Sequence, residues 1–487
     1  MDALNIIEEA HENGISLFLN EEGELKVNVP KGTQLSPELL AKIKAGKEEL
    51  KSFLKKDMAV AKSVKKGLTI KKVNRAELER IPLSSSQEAL WFIDQIDGGQ
   101  AYHIPFSIEI TGDIDKDNLQ KAYSELINRH EPLRTIFKEK GGIPHQHIQK
   151  QGRWCFDETA AGEFSEESFN KLLKEQLQKA FDLSQGPLIR ANLVEYSDRH
   201  ILLVVVHHII FDGWSTAIFG NELSQLYFKI HENSNTELKP LQIEYPDYAV
   251  WDKSRLKEDS LKQHLSFWEN ELKNVETTSL LGDFNRPQIL SGNGDSFEHY
   301  ISDQLAADLK DLASKENTSL YILLLSAFNL LMGRYTRKED IILGSPIANR
   351  NLPETEPLIG FFTNTLVLRN EIKNDLPFNE WLKGVTEHIF DVFEHQDVPL
   401  IKIVEHLKND REATSMVLFN IMFSLANYPE SDKNQIGELK ELEEITSQFD
   451  LTLRAKEEHS GFSLSVNYCT DLFLRSSMKE FLGHYIT

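Results

Sequence analysis

The sequence predicts an α/β protein: a small helix–hairpin–helices module followed by a larger body long enough for two lobes. Three observations carry this reading. The chain has 487 residues, more than one hydrophobic core usually organises. From residue 81 onward, strand-like apolar runs alternate with amphipathic helical stretches, and no fixed-period repeat recurs. The first 56 residues carry a compact pattern of their own.

In that first module Leu4 and Ile7 stand at helical spacing, and Gly14 ends the helix. Ile15, Leu17 and Leu19 then alternate with Ser16, Phe18 and Asn20, as in a strand. Glu21-Glu22-Gly23 makes a turn, and Leu25, Val27 and Val29 alternate with Lys26 and Asn28 to give the second arm of a hairpin. Ser36 caps a helix with Pro37 at its first position and Leu39, Leu40 and Ile43 on its apolar face. Gly46 breaks it, and Leu50, Phe53 and Leu54 face inward from a final short helix. A two-stranded hairpin leaves an unpaired strand edge, a template for an incoming peptide.

Residues 57–78 read as a linker. Lys62, Lys65, Lys66, Lys71 and Lys72 are interleaved with small residues and Gly67, as in a solvated tether or a basic docking patch. In the body, 104–110 and 201–206 read as strands, and 117–129 and 216–227 as amphipathic helices. The second half repeats the mixture: a strand near 297–301, a helix near 320–335 and a strand at 341–343. The boundary between the halves is placed near 250–270, which divides the body into 79–255 and 256–487.

Composition narrows the function. A net charge of −22, from 54 basic and 76 acidic side chains, disfavours non-specific nucleic-acid binding and repels anionic membranes. The two cysteines, Cys155 and Cys469, form no CxxC pair and no zinc-spaced cluster, so no metal site is expected. Lone thiols fit a reducing compartment. Met1-Asp2-Ala3-Leu4 lacks the features of a signal peptide. The longest apolar runs, 201–206 and 320–325, fall far short of the roughly 20 residues of a membrane helix. The expectation is a cytoplasmic protein with no membrane partner.

The sharpest chemical feature is the apolar strand 201–206 running into His207 and His208, then Asp212, Gly213, Trp214 and Ser215. Neighbours on a strand point to opposite faces, so the two histidines do not share one metal or one cavity. One packs locally while the other faces a site. Gly213 permits a sharp turn into the next helix. A single histidine at an apolar strand end is ordinarily a core residue. An adjacent pair followed by Asp-Gly leaves the core and catalytic readings both open.

His207-His208-Ile209-Ile210-Phe211-Asp212-Gly213 resembles the HHxxxDG signature of nonribosomal peptide synthetase condensation domains. Six further stretches resemble the family's other motifs in family order. Leu83-Ser84-Ser85-Ser86-Gln87-Glu88-Ala89-Leu90-Trp91 is similar to the first, and Arg129-His130-Glu131-Pro132-Leu133-Arg134-Thr135-Ile136-Phe137 to the second. Tyr245-Pro246-Asp247-Tyr248-Ala249-Val250-Trp251 is similar to the fourth. Ile359-Gly360-Phe361-Phe362-Thr363-Asn364-Thr365 is similar to the fifth, with Thr363 where valine is more usual. His395-Gln396-Asp397-Val398-Pro399 resembles the sixth, and Arg411 with Phe419-Asn420-Ile421-Met422-Phe423 resembles the seventh, loosely at its start. Gly344-Ser345-Pro346-Ile347-Ala348-Asn349-Arg350 and Tyr468-Cys469-Thr470-Asp471-Leu472-Phe473 are familiar too. Residues 1–56 resemble the N-terminal docking domain of the tubulysin-synthetase type.

The resemblance implies two chloramphenicol-acetyltransferase-like lobes in a V, with His208 midway along a central tunnel. It implies donor and acceptor peptidyl carrier domains, whose phosphopantetheine arms bring the two thioesters, and no cofactor bound by this chain itself. It implies an adenylation domain downstream in the natural chain and an upstream synthetase whose C-terminal tail residues 1–56 capture by strand addition. Leu25, Lys26 and Val27 mark the docking strand, with Lys26 either pairing with an acidic tail residue or simply solvated. Trp91-Phe92 and Phe361-Phe362 resemble the class that joins an L-configured donor to an L-acceptor. Within the reaction His208 is read as base or as orienting group for the attacking amine, and His207 as structural. Asp212 is expected to form an ion pair with Arg350 first, Arg129 or Arg134 second, and Trp214 and Ser215 to support the site. The Gly213 N–H is expected at the oxyanion, and Asn420 and Ser424 on the acceptor side. The rival readings are a carrier-independent acyl-CoA-dependent acyltransferase, a catalytically silent recruitment domain and a metal hydrolase.

Overall fold

The computed structural model describes residues 16–19, 25–28, 36–47, 69–97, 99, 102–150, 152, 154–234, 237–255, 258–409, 418–426, 435–442, 445–457 and 461–487. The chain divides into two compact units, one of residues 1–68, 303–326 and 373–395, the other of 69–302, 327–372 and 396–487.

In the first unit β1 (Ser16–Leu19) and β2 (Leu25–Asn28) form the expected antiparallel hairpin, with Leu17 opposite Val27 and Leu19 opposite Leu25. Helix α1 (Pro37–Ala45) follows, and the Ser36 hydroxyl accepts the Leu39 N–H at 3.1 Å as its cap. Leu39 and Ile43, one turn apart, are buried. The expected helix around Leu4 and Ile7, the turn at 21–23, the helix around Leu50–Leu54 and the linker residues 57–68 lie outside the described residues. The same unit holds helices Asp303–Lys315 and Phe378–Glu394, and within it the Thr318 and Thr386 hydroxyls meet at 2.9 Å.

The second unit is built on two mixed sheets. Helix α2 (Ser85–Asp97) precedes β3 (His103–Ile110), and helix α3 (Lys116–Arg129) leads to the hairpin of β4 (Thr135–Lys140) and β5 (Ile143–Ile148). Then come β6 (Cys155–Gly162), β7 (Ile189–Tyr196), β8 (His200–His207), helix α4 (Gly213–His231) and helix α5 (Tyr245–Arg255). The second half supplies β9 (Gly294–Ile301), β10 (Asp340–Ile347), β11 (Asn364–Glu371), β12 (Ile421–Ala426), β13 (Glu438–Glu441), β14 (Leu451–Glu457) and β15 (Phe462–Cys469). One sheet runs β13-β3-β8-β7-β6, the other β11-β10-β12-β14-β15-β9.

Strand β8 is the axis of the first sheet. It lies between β3 and β7, and residues 201–206 are all nearly inaccessible, which is why they read as a continuous apolar run rather than an alternation. Helix α3 buries Leu119, Ala122, Tyr123, Leu126 and Ile127 along one stripe, is capped by Asp115, and lies against α4.

Two sequence expectations are corrected. The expected division at 255/256 leaves β13 in the second half, yet it pairs with β3 of the first, Leu439 opposite Ile108. Its sequence, Glu-Leu-Lys-Glu, carries no strand signal; pairing across the chain and the Lys440–Glu109 ion pair hold it. The linker reading of 57–78 does not extend over its described part. Ile70 is buried in a cluster with Ile243, Tyr245, Tyr248, Leu358 and Phe362, and the Val73 N–H donates to Asp247 at 3.0 Å.

Candidate active site

Strand β8 stops at His207. His208 opens a single 3₁₀ turn, His208–Ile210, so it sits one residue beyond the strand rather than within it, as the sequence pattern had suggested. The two rings are held as opposite tautomers. His207 is buried, and its Nδ1 accepts the Ile209 N–H at 3.1 Å, which leaves its proton on Nε2. It meets His103 and Phe181 edge-on, at ring separations of 5.9 and 6.1 Å.

His208 is only partly buried. Its Nδ1 lies 2.6 Å from the Phe211 carbonyl oxygen. A carbonyl only accepts, so Nδ1 carries the proton, and in the neutral ring Nε2 presents a lone pair. The ring rests on Phe361 at 4.6 Å. Desolvation holds its pKa below 6.5, against the opposing pull of the Phe211 carbonyl and the Asp212 charge.

Asp212 ends the turn and caps α4. Its Oδ1 accepts the Ser215 N–H at 3.0 Å and the Ser215 hydroxyl at 2.7 Å, and its Oδ2 accepts the Phe362 N–H at 3.1 Å. The Arg350 guanidinium closes the group, with Nη2 at 2.9 and 3.2 Å from the two carboxylate oxygens. Nη1 of Arg350 donates to the Thr355 and Leu358 carbonyls, and its plane lies over the Phe362 ring at 4.1 Å. Asp212 therefore holds the α4 start and the 360–362 segment together.

The other candidates fall at varied distances from this group. Gly213 is the first residue of α4 and is partly exposed, so its N–H belongs to the helix's open first turn. Trp214 donates its indole N–H to the Glu356 carbonyl at 3.0 Å and lies beneath Arg350. Arg129 and Arg134, the second choices for Asp212, are engaged elsewhere. Arg129 pairs with Glu222 at 2.9 Å and donates to the Lys239 carbonyl, while Arg134 donates to the Asn128 and Gln149 carbonyls. Their helix and turn face Glu222 and the hairpin, not the cap of α4. Asn420 precedes β12, and its carbonyl accepts the Asp450 N–H; Ser424 is buried within β12 opposite Arg454. On β2, Lys26 is exposed and Leu25 half-buried, while the Val27 side chain lies outside the described residues.

Gln87, Tyr245 and Phe361 fall within the motif stretches, but the sequence alone assigned them no role. Tyr245 is fully buried, donates its hydroxyl to the Phe361 carbonyl at 2.5 Å and shares a hydrogen bond with Ser84, which steadies the ring under His208. A surface cavity of about 420 Å³, lined by Glu125, Arg129, Lys229, Leu238 and Glu244 among others, lies beside α3 and α4 rather than at His208. Among the described residues no group of three or more His, Cys, Asp or Glu is arranged to hold a metal, and no helix is long and apolar enough to cross a membrane.

Comparison with known proteins places the chain in a family. The family model "Condensation domain" matches residues 77–487, and "TubC N-terminal docking domain" matches 5–56. Bacitracin synthase 3 of Bacillus licheniformis is 37% identical over 417 residues, which is 84% of this chain and 6% of that protein. The chain thus spans under a tenth of that relative's length. Among solved structures, the X-domain from teicoplanin biosynthesis superposes with a TM-score of 0.75 at 24% identity, over 86% of this chain and 96% of that one. The EpoB cyclization-docking bidomain from Sorangium cellulosum superposes with a TM-score of 0.73 at 18% identity, over 99% and 97%. At these identities the two structures attest the mixed α/β, two-lobed fold.

Proposed function

The chain belongs to the condensation-domain family of nonribosomal peptide synthetases, whose chemistry is amide-bond formation, and on that premise we propose that it joins two carrier-bound thioesters with His208 at the reacting centre. The α-amine of the downstream aminoacyl thioester attacks the upstream acyl thioester. A C–N bond forms, the C–S bond breaks, and one proton leaves the nitrogen as the thiolate departs. A free α-amine has a pKa of about 8, so part of it is protonated at neutral pH and the attacking form must be selected and positioned.

One observation carries the reading: the Phe211 carbonyl pins the Nδ1 proton, so the other nitrogen, on a partly exposed ring, is an acceptor. A low pKa keeps that lone pair available at neutral pH. Nε2 then accepts a hydrogen bond from the amine, and serves as its base or as its orienting group. The Gly213 N–H, at the positive end of α4, supports the oxyanion. Asp212 and Arg350 keep the turn in register without touching substrate.

The phosphopantetheine arms belong to the donor and acceptor carrier domains, and an adenylation domain downstream loads the acceptor. Residues 1–56 take the C-terminal tail of an upstream synthetase along the β2 edge, with Lys26 meeting an acidic residue. The subtype is the one joining an L-donor to an L-acceptor, and the setting is the cytoplasm.

The test is turnover between a loaded donor carrier and a loaded acceptor carrier. His208→Ala should lose dipeptidyl product almost completely, and near-normal product from that variant would end the assignment. Equal turnover with free acyl-CoA and a soluble amine would favour the carrier-independent alternative instead.

A further inference from the structure

Helix α2 presents two polar side chains, Gln87 and Asp94, to the segment that carries His208. They stand seven positions apart, on one face of the helix. Asp94 lies 3.6 Å from His207 Nε2. Gln87, almost wholly buried, donates its Nε2 hydrogen to the Ile209 carbonyl at 3.0 Å.

The hydrogen bonds of the turn make Gln87 matter. The Phe211 N–H goes to the His208 carbonyl, the Ile209 N–H to His207, and the Phe211 carbonyl to the His208 ring. Those partners all come from within 207–211. The Ile209 carbonyl is held by Gln87, 122 positions away in sequence.

Gln87 has a local duty as well. Its Oε1 accepts the Ser84 N–H at 3.1 Å while its own N–H donates to the Ser84 hydroxyl at 3.2 Å. This reciprocal pair is a capping box at the start of α2. A glutamate would serve the capping box equally well. Only an amide also supplies a donor to Ile209, so the residue type exceeds what the helix requires.

We propose that Gln87 is a positioning residue for His208, acting through the Ile209 carbonyl. The proposal rests on the reading of His208 as the reacting centre. Without the Gln87 donor, a buried carbonyl one residue from His208 lacks its partner, and the turn shifts to find another. A ring moved by even 1 Å loses its alignment with the amine.

Gln87→Glu separates the two duties, because it keeps the capping acceptor and replaces the donor with a second acceptor. The variant should lower kcat about 10- to 100-fold, of the order expected for an ångström of misplacement, and leave the carrier KM within about twofold. The ¹⁵N resonances of the His208 ring should move, and Tm should fall as well, because a carboxylate is buried there without a cationic partner. Gln87→Leu, which removes the donor without adding a charge, should match Gln87→Glu in kcat, so that the loss follows the missing donor rather than the new carboxylate. Unchanged kcat in Gln87→Glu, with His208→Ala inactive, would overturn the proposal and leave the catalytic reading standing. Should His208→Ala remain active, the catalytic reading itself falls, and unmoved His208 ring resonances in Gln87→Glu would still refute the positioning role.

Discussion

Arg350 and Asp212, 138 positions apart in sequence, face each other at 2.9 Å with both side chains withdrawn from solvent. The pair ties the N-terminus of α4 to the segment that carries Phe361, the ring beneath His208.

Breaking that pair should be costly, because it strands a buried charge. Arg350→Met is expected to destabilise the fold by about 3–5 kcal/mol. Asp212→Asn should also lose activity and stability, since it weakens contacts to Arg350, Ser215 and Phe362 together. The double variant should cost less than the two single losses combined, as measured by calorimetry on all three proteins. Strict additivity would mean the two side chains are not coupled.

His208 should titrate below 6.5, because burial disfavours its imidazolium. The ring is then neutral at pH 7, and its lone pair is lost only at more acid pH. NMR titration of the parent against His208→Ala identifies the signal and reads its midpoint. A midpoint above 6.5 would contradict the desolvated setting.

His103 should make stability fall in acid. Burial lowers its pKa to about 4, while the unfolded ring keeps 6.5. The unfolded state therefore binds the proton first as pH falls. Stability should drop between pH 6.5 and 4 and level off below, by up to about 3 kcal/mol from this ring. His103→Phe, which keeps the ring packed on Phe181, should show a shallower decline of Tm over the same interval.

Glu244 should act in the opposite sense. Burial, with the Glu131 charge beside it, raises its pKa to about 7. The folded state holds that proton more tightly than the unfolded one, so stability from this group is lost as pH rises from 4.5 to 7. Glu244→Gln should raise Tm at pH 8 and make little difference at pH 5. A lower Tm at pH 8 would show that the carboxylate is needed as such.

A methyl group at Gly360 should be poorly tolerated. A Cβ there would lie 2.1 Å from the Tyr245 ring, which is buried and fastened through its hydroxyl to Phe361. Gly360→Ala is expected to destabilise by about 1–3 kcal/mol through overpacking and to slow turnover by moving Phe361. Thermal melts and the two-carrier assay test both effects.

Much of this protein is legible along the chain. The run 201–206 marks a strand buried on both faces, and the apolar stripe of 117–129 marks a helix, because side-chain periodicity survives in sequence. The capping residue Ser36 precedes its helix as local chemistry dictates. The motif order identified the family.

Sequence alone thus determined the kinds of element and their order, since these depend on residues within a few positions of one another. Tertiary structure decided which distant groups meet. It brought β13 to the edge of β3, laid Ile70 against Tyr245, and set Gln87 on the Ile209 carbonyl. Those choices depend on how packed elements bring side chains within 3 Å, and no local pattern encodes a hydrogen bond between residues more than a hundred positions apart.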